Sequence, residues 1–278
     1  MRRHRQGFAF CDGSAGTPTF GLQQGDGGPC GVLAAVQAEL LRCLLFGASA
    51  SHEDGSDSTS STASAAAAAA PTGQELPSPP ESELQVALCE ALLTILTRAR
   101  PSPHSPLVVV TCRGSDGTCC VESVGGGSGG SALPQTPAND FVVQKFSEVG
   151  DEARGYLVSV LPRFQGASGV LLFMLSVLLT RGASEVQGDM DDSTQPLIGQ
   201  FGHCSQELLN LLLSGAATSN VFDGSVPMGD SGLTLRGIPK RSTVGYLTHL
   251  EALRYCQVRV DVVMPESCTQ LLSRIAEA

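Results

Sequence analysis

Two low-complexity stretches limit how this 278-residue chain can fold. The first, at about 47–82, includes "SDSTSSTASAAAAAAPTG" and has Leu76 as its one large apolar residue. The second, at about 114–137, includes "GGGSGGSALPQTP". Segments of this composition bury too little apolar surface to offset the entropy that is lost on ordering. We therefore predict a single domain over 1–278, interrupted by two disordered insertions.

Composition and charge narrow the classes of partner. The chain carries 17 Lys and Arg against 27 Asp and Glu, a formal net charge of −10, so it lacks the basic excess that neutralises nucleic-acid phosphates. Its longest apolar run, Val170–Leu179, has about half the length of a membrane-spanning helix. No apolar run follows the basic N-terminus as in a signal peptide. We expect a soluble cytoplasmic or nuclear protein, or both, with no nucleic-acid or membrane partner.

Ten cysteines are scattered along the chain. Cys43, Cys89 and Cys256 lie in apolar periodic segments, where a thiol behaves as a small hydrophobe. Reduced thiols in the cytosol or nucleus explain this distribution more simply than a disulfide framework. The one close group, Cys112 with the pair at 119–120, lacks the spacing of zinc ligands. We therefore predict no metal site and no cofactor.

Hydrophobic periodicity predicts a helix-rich α+β class. Apolar residues at helical spacing predict helices at 31–46, 84–97, 154–161, 170–180 and 207–213, and another after Thr243. β-branched or alternating runs predict strands at 107–112, 141–146 and about 258–263. Gly182 and Gly215 are predicted to end two of the helices.

Cys30 lies between a glycine-rich loop and the first predicted helix, in "GLQQGDGGPCGVLAAVQ". The thiolate is the nucleophilic form of cysteine, and unpaired N–H groups at a helix N-terminus stabilise an anion. The glycines allow the backbone to approach a substrate carbonyl closely. The Cys30 N–H and the Gln24 side chain, six residues upstream, could then bind a developing oxyanion. On the residues alone, a structural role for Cys30 stays open.

Several segments together resemble the MINDY family of cysteine deubiquitinases, in the branch with a GGPC motif. They are "QGFAF", "GGPCGVLAAVQAELLRCLLF", "GDMDD", "PLIGQFGHCSQELLNLLLSGAATSNVFDG" and "VGYLTHLEALRYCQV", and they extend from about Gln6 to Val258. The resemblance implies a papain-like α+β fold and thiol-dependent hydrolysis of isopeptide bonds, with ubiquitin and polyubiquitin as partners. It also implies that Cys30 is the nucleophile and Gln24 the oxyanion-hole glutamine.

The sequence departs from the family pattern near its end, where a catalytic histidine is expected in "VxxSExH". Here "VVMPESCTQLL" puts Cys268 in the place of that histidine, and a shortened segment implies an altered or truncated C-terminal sheet. A cysteine cannot take the thiol proton and remain as a cation. Either the gene model is wrong after Val258, or the protein is an inactive ubiquitin-binding relative. His203 is the remaining candidate base, with a capping or surface role as its alternative.

Overall fold

The computed structural model describes residues 6–14, 17–25, 29–47, 79–113, 141–199, 202–229, 232–240 and Val244. All of them belong to one unit, which comprises Met1–Ala50 and Ser78–Val244. The predicted insertion at 114–137, the helix after Thr243 and the strand at 258–263 lie outside the described residues, apart from Val244. The first predicted insertion, at about 47–82, lies outside the described residues over 48–78, and a helix begins at Glu81, close to its predicted end.

The described residues form six helices and four strands, which confirms the α+β class. In chain order they are α1 (Cys30–Phe46), α2 (Glu81–Ala99), β1 (Leu107–Cys112), β2 (Phe141–Phe146), α3 (Asp151–Gln165), α4 (Gly169–Arg181), α5 (Ala183–Asp189), α6 (Gln206–Ser214), β3 (Ser225–Met228) and β4 (Leu233–Arg236). Both strands predicted within this part of the chain are confirmed with their bounds, and the helix bounds agree within four residues.

Helix α2 lies at the centre of the core. It packs against α1, α3, α4, α6 and β1. Leu88, Leu92, Ile95 and Leu96 are completely buried along it. A helix that contacts neighbours on several sides buries more than one stripe of residues. This explains why apolar residues are so dense in α2.

Strands β1 and β2 form an antiparallel hairpin, with Leu107 opposite Phe146. All six residues of β1 are buried. The second edge of β1 faces α4, where the Val110 N–H donates to the Ser176 hydroxyl at 2.8 Å and the Val108 N–H to the Thr180 hydroxyl at 2.9 Å. Buried backbone groups need partners, and here helix hydroxyls supply them in place of a third strand.

Gly182 and Gly215 end α4 and α6, as predicted. Both have a positive φ, 91° and 85°, a conformation that glycine adopts without a steric penalty. A side chain at Gly215 would also overlap the carbonyl oxygen of Arg98.

Helix α5 and the β3–β4 hairpin were not predicted, because α5 buries only Val186 and β3 buries no residue. Such segments show no hydrophobic period.

The longest apolar run of the sequence lies in α4, where most of its side chains are buried. Among the described residues, no single helix has the length and apolar composition to cross a membrane. Helices α4 and α5 have the required length and apolar composition only when they are taken together, and they are bent by 82° relative to each other.

The hydroxyls that cover β1 make a testable contribution to stability. We expect Ser176→Ala to lower the free energy of unfolding by about 1–3 kcal/mol, because the buried Val110 N–H loses its acceptor. Urea denaturation measures this change. Ser159→Ala is the matched control, since Ser159 is exposed on α3 and its hydroxyl donates to the Tyr156 carbonyl. Equal losses in the two variants would contradict the prediction.

Candidate active site

Cys30 is the first residue of α1 and is exposed. Pro29 precedes it as the N-cap residue and contributes no side-chain capping bond, and the first turn contains no acidic residue. The first N–H groups of a helix have no acceptor within it, so this end carries a partial positive charge. The structure therefore places the Cys30 sulfur at an accessible helix N-terminus that no carboxylate of its own first turn opposes.

The direction of α1 is fixed by a buried carboxylate at its centre. Glu39 is fully buried, and it pairs with Arg42 at 2.7 Å and with Arg98 of α2. Arg98 also donates to the carbonyl oxygen of Leu212 in α6, at 3.2 Å. Charged hydrogen bonds in a buried setting are strong and directional. Through them α1 is joined to both α2 and α6.

Gln24 lies on a loop that pairs with the N-terminal segment. The Cys11 N–H donates to the Gly21 carbonyl and the Gln23 N–H to the Ala9 carbonyl, both at 2.8 Å. The Gln24 side chain itself is exposed. The loop is thus held by main-chain hydrogen bonds up to the residue before Gln24.

Gln37 joins this loop to the helix that carries the thiol. Its side-chain oxygen accepts from the Leu22 N–H at 2.7 Å, and its nitrogen donates to the Phe20 carbonyl at 3.1 Å. Gln37 follows Cys30 by seven residues, which places both on one helix face about 10 Å apart along the axis. The loop that leads to Gln24 therefore runs beside the face of α1 that begins at Cys30.

Gln6 holds the same loop from the other side. Its side-chain oxygen accepts from the Gly25 N–H at 2.9 Å, and its nitrogen donates to the Gln23 carbonyl at 2.9 Å and to the Gly7 carbonyl at 2.6 Å. Gln6 is only 8% exposed. Its bonds reach the residues on either side of Gln24. Sequence reasoning did not find this role, since the two partners in the loop, at Gln23 and Gly25, are backbone groups distant in the sequence.

Cys204 packs against the first turn of α1, beside Gly31. This contact was not predicted from the sequence. The Cys204 sulfur lies near the backbone N–H groups of Gly31 and Val32, and the Val32 N–H also donates to the Pro29 carbonyl at 3.0 Å. The sulfur lies 3.2 Å from the position that a Cβ on Gly31 would take. Burial raises the pKa of the Cys204 thiol and the nearby Cys30 adds to the rise, although the two N–H groups oppose it. With its pKa raised, the Cys204 side chain favours the neutral thiol over the thiolate.

The structure does not locate a general base. His203 is exposed directly before Cys204, and its carbonyl accepts from the Gly199 N–H at 2.8 Å. His104 is exposed in the connection between α2 and β1. The other histidines and Cys268 lie outside the described residues. Within the described part of the chain, no group of three or more His, Cys, Asp or Glu side chains is placed to hold a metal ion.

Comparisons with known proteins identify the family of this chain. The family model described as "Deubiquitinating enzyme MINDY-3/4, conserved domain" matches residues 3–267. The chain belongs to this family. The resemblance predicted from the GGPC motif and its companion segments is thereby confirmed.

Curated relatives within the MINDY-3/4 family agree with the assignment. The chain is 34% identical to "Ubiquitin carboxyl-terminal hydrolase MINDY-3" of Mus musculus, over 92% of this chain and 54% of the relative. It is 32% identical to the Danio rerio protein of the same name, over 96% and 56% of the two chains. It is 33% identical to "Probable ubiquitin carboxyl-terminal hydrolase MINDY-4" of Xenopus tropicalis, over 86% and 28%. The chain spans about half the length of the MINDY-3 relatives. No solved structure matches it significantly.

The two thiols at the start of α1 should differ in reactivity. At pH 7.5 we expect iodoacetamide to modify Cys30 well before Cys204, because Cys30 is exposed whereas burial keeps Cys204 in its neutral form. Peptide mass spectrometry over a time course measures both rates. Cys89 serves as the internal control, since burial raises its pKa to about 11 and should leave it unmodified until the protein unfolds. Equal rates for Cys30 and Cys204 would contradict this account.

Proposed function

We propose that this chain is a thiol-dependent deubiquitinase that hydrolyses isopeptide bonds in polyubiquitin, with Cys30 as the nucleophile. The observation that carries the proposal is the exposed Cys30 at the N-terminus of α1, within a chain that matches the deubiquitinase domain over residues 3–267. The names of the MINDY-3 relatives, ubiquitin carboxyl-terminal hydrolases, support the same activity.

In the proposed reaction, the Cys30 sulfur attacks the carbonyl carbon of the C-terminal glycine of ubiquitin. The side-chain amide of Gln24 and the Cys30 N–H donate to the oxyanion that forms. The C–N bond to the lysine amine then breaks, and the amine leaves with the proton that the thiol has lost. Water hydrolyses the resulting thioester, which releases ubiquitin and restores the thiol.

The proposal extends to the fold and the location. The papain-like arrangement that we propose is supported by the placement of the cysteine at the start of a core helix, which is joined by buried charges to its neighbours. A cytoplasmic or nuclear location follows from the scattered cysteines of the sequence, and six described cysteines are free thiols. Ubiquitin is the proposed partner, with no nucleic acid and no membrane.

A second candidate function is an inactive module that binds ubiquitin. The observation that favours it is Cys268, which stands where the family pattern has a histidine. Without a base, the thiol proton has no acceptor at the site, and turnover stops. The surface that binds ubiquitin can persist in such a protein. Binding without hydrolysis distinguishes it from the enzyme.

The proposed mechanism predicts how two substitutions change the rate of hydrolysis. In a gel assay with polyubiquitin, we expect Cys30→Ala to abolish cleavage and Gln24→Ala to lower kcat roughly 10²–10³-fold, as loss of an oxyanion donor does. Ser159→Ala is the control variant, because Ser159 is exposed on α3 and has no part in the proposed site, and it should cleave at the unchanged rate.

Two outcomes would overturn the enzymatic proposal. Cleavage that survives in Cys30→Ala would place the nucleophile elsewhere. Polyubiquitin binding by the unchanged chain without cleavage at any enzyme concentration would establish the second candidate in its place.

A further inference from the structure

We infer that Gln6 is a positioning residue, whose side-chain amide fixes the loop on both sides of Gln24 and so determines where the Gln24 amide stands. The inference rests on the deubiquitinase function proposed above. Gln6 lies far from Gln24 in the sequence, and within the described part of the chain its side chain hydrogen-bonds to the backbone of this loop and of its own neighbour Gly7. It therefore acts through Gln24 and does not itself bind the substrate.

The donors and the acceptor of the Gln6 side chain match two backbone carbonyls and one backbone N–H group. A carboxamide offers two N–H donors and one acceptor oxygen. Both donors are used, on the Gly7 and Gln23 carbonyls, and the oxygen accepts from the Gly25 N–H. A glutamate would present no donor to the two carbonyls, and an apolar residue would leave all three backbone groups without this partner. The geometry requires an amide of this length.

Gln6 is itself fixed to the core, so the loop is held by a rigid support. The Val170 N–H, at the start of α4, donates to the Gln6 carbonyl at 2.9 Å. Two residues on, the Phe8 N–H donates to the Phe164 carbonyl of α3 at 3.0 Å. Between them, a side chain at Gly7 would overlap the carbonyl oxygen of Gln165. The segment thus lies against the connection between α3 and α4.

The position of Gln24 depends on this support because its own side chain is exposed. Packing does not hold an exposed side chain, so only the adjacent backbone can preorganise it. An oxyanion donor is effective when it already stands where the negative charge develops, and a loop that moves loses that advantage. Gln37 holds the loop further back, at Phe20 and Leu22. Gln6 is the residue that bonds to both immediate neighbours of Gln24.

The test uses Gln6→Met in the full chain, since methionine has a similar length but no amide. The probe is ubiquitin aldehyde, whose adduct with Cys30 places an oxygen in the oxyanion site. We expect Gln6→Met to weaken binding of the aldehyde roughly tenfold. In a Gln24→Ala background, Gln6→Met should cause no further loss, because the group that it positions is gone. Gln85→Met is the control, since Gln85 is a half-buried glutamine on α2 whose side chain donates to the Glu81 carboxylate.

Two further measurements separate positioning from a folding defect. Labelling by ubiquitin propargylamide, which needs the thiol and not the oxyanion donor, counts the molecules that are correctly folded in each variant. Binding of the aldehyde is then expressed per labelled molecule. Amide hydrogen exchange at Gly25 should become faster in Gln6→Met and stay unchanged in Gln85→Met, because only the first variant removes the acceptor of that N–H.

The outcomes distinguish this inference from the function on which it rests. If the unchanged chain binds no ubiquitin aldehyde, the proposed function is wrong and the role of Gln6 is lost with it. If the unchanged chain binds the aldehyde and Gln6→Met binds it equally well, only the positioning role is overturned. An equal loss in the presence and absence of the Gln24 side chain would also overturn it, since the effect would not pass through Gln24.

Discussion

The buried carboxylate of Glu39 is the interaction on which the arrangement of the site depends. A charge without solvent is costly unless it is paired and hydrogen-bonded, and Arg42 and Arg98 both pair with it. Arg98 of α2 also donates to the Leu212 carbonyl, so one side chain links α1, α2 and α6. Since Cys30 is the first residue of α1, fixing that helix also fixes the direction in which the thiol is presented.

Close packing at the N-terminal end of α1 completes this constraint. A Cβ at Gly31 would lie 2.6 Å from a methyl carbon of Leu209 in α6, so glycine allows α6 to approach the first turn. That approach also delivers the Cys204 sulfur to the N–H groups of Gly31 and Val32. The loop with Gln24 is held differently, by the amides of Gln6 and Gln37. Buried charge thus holds the helix that carries the proposed nucleophile, and neutral amides hold the loop that carries the proposed oxyanion donor.

Local patterns predicted the elements that bury a regular face, and missed those that do not. Helices α1 and α2 follow from apolar residues at helical spacing, and β1 from its β-branched run. Helix α5 and strand β3 leave no such pattern. The predicted end of the first insertion overlaps the start of α2 by two residues, because Glu81 and Ser82 are polar residues that also suit the first turn of a helix.

The site was predictable only where one residue and its local context carry the chemistry. A cysteine after a glycine-rich loop and before a helix identifies Cys30 as a candidate. The contacts of Gln6 and Cys204 are made with backbone groups of distant segments, which any sequence can offer, so no residue pattern reveals them. Only the tertiary structure brings these groups together.

The most direct measurement of the central claim is to locate the covalent adduct after the full chain reacts with ubiquitin propargylamide. Tryptic digestion and tandem mass spectrometry assign the modified cysteine. The account predicts a single adduct, on the Cys30 sulfur. An adduct on Cys204 or another cysteine, or no adduct at all, would contradict it.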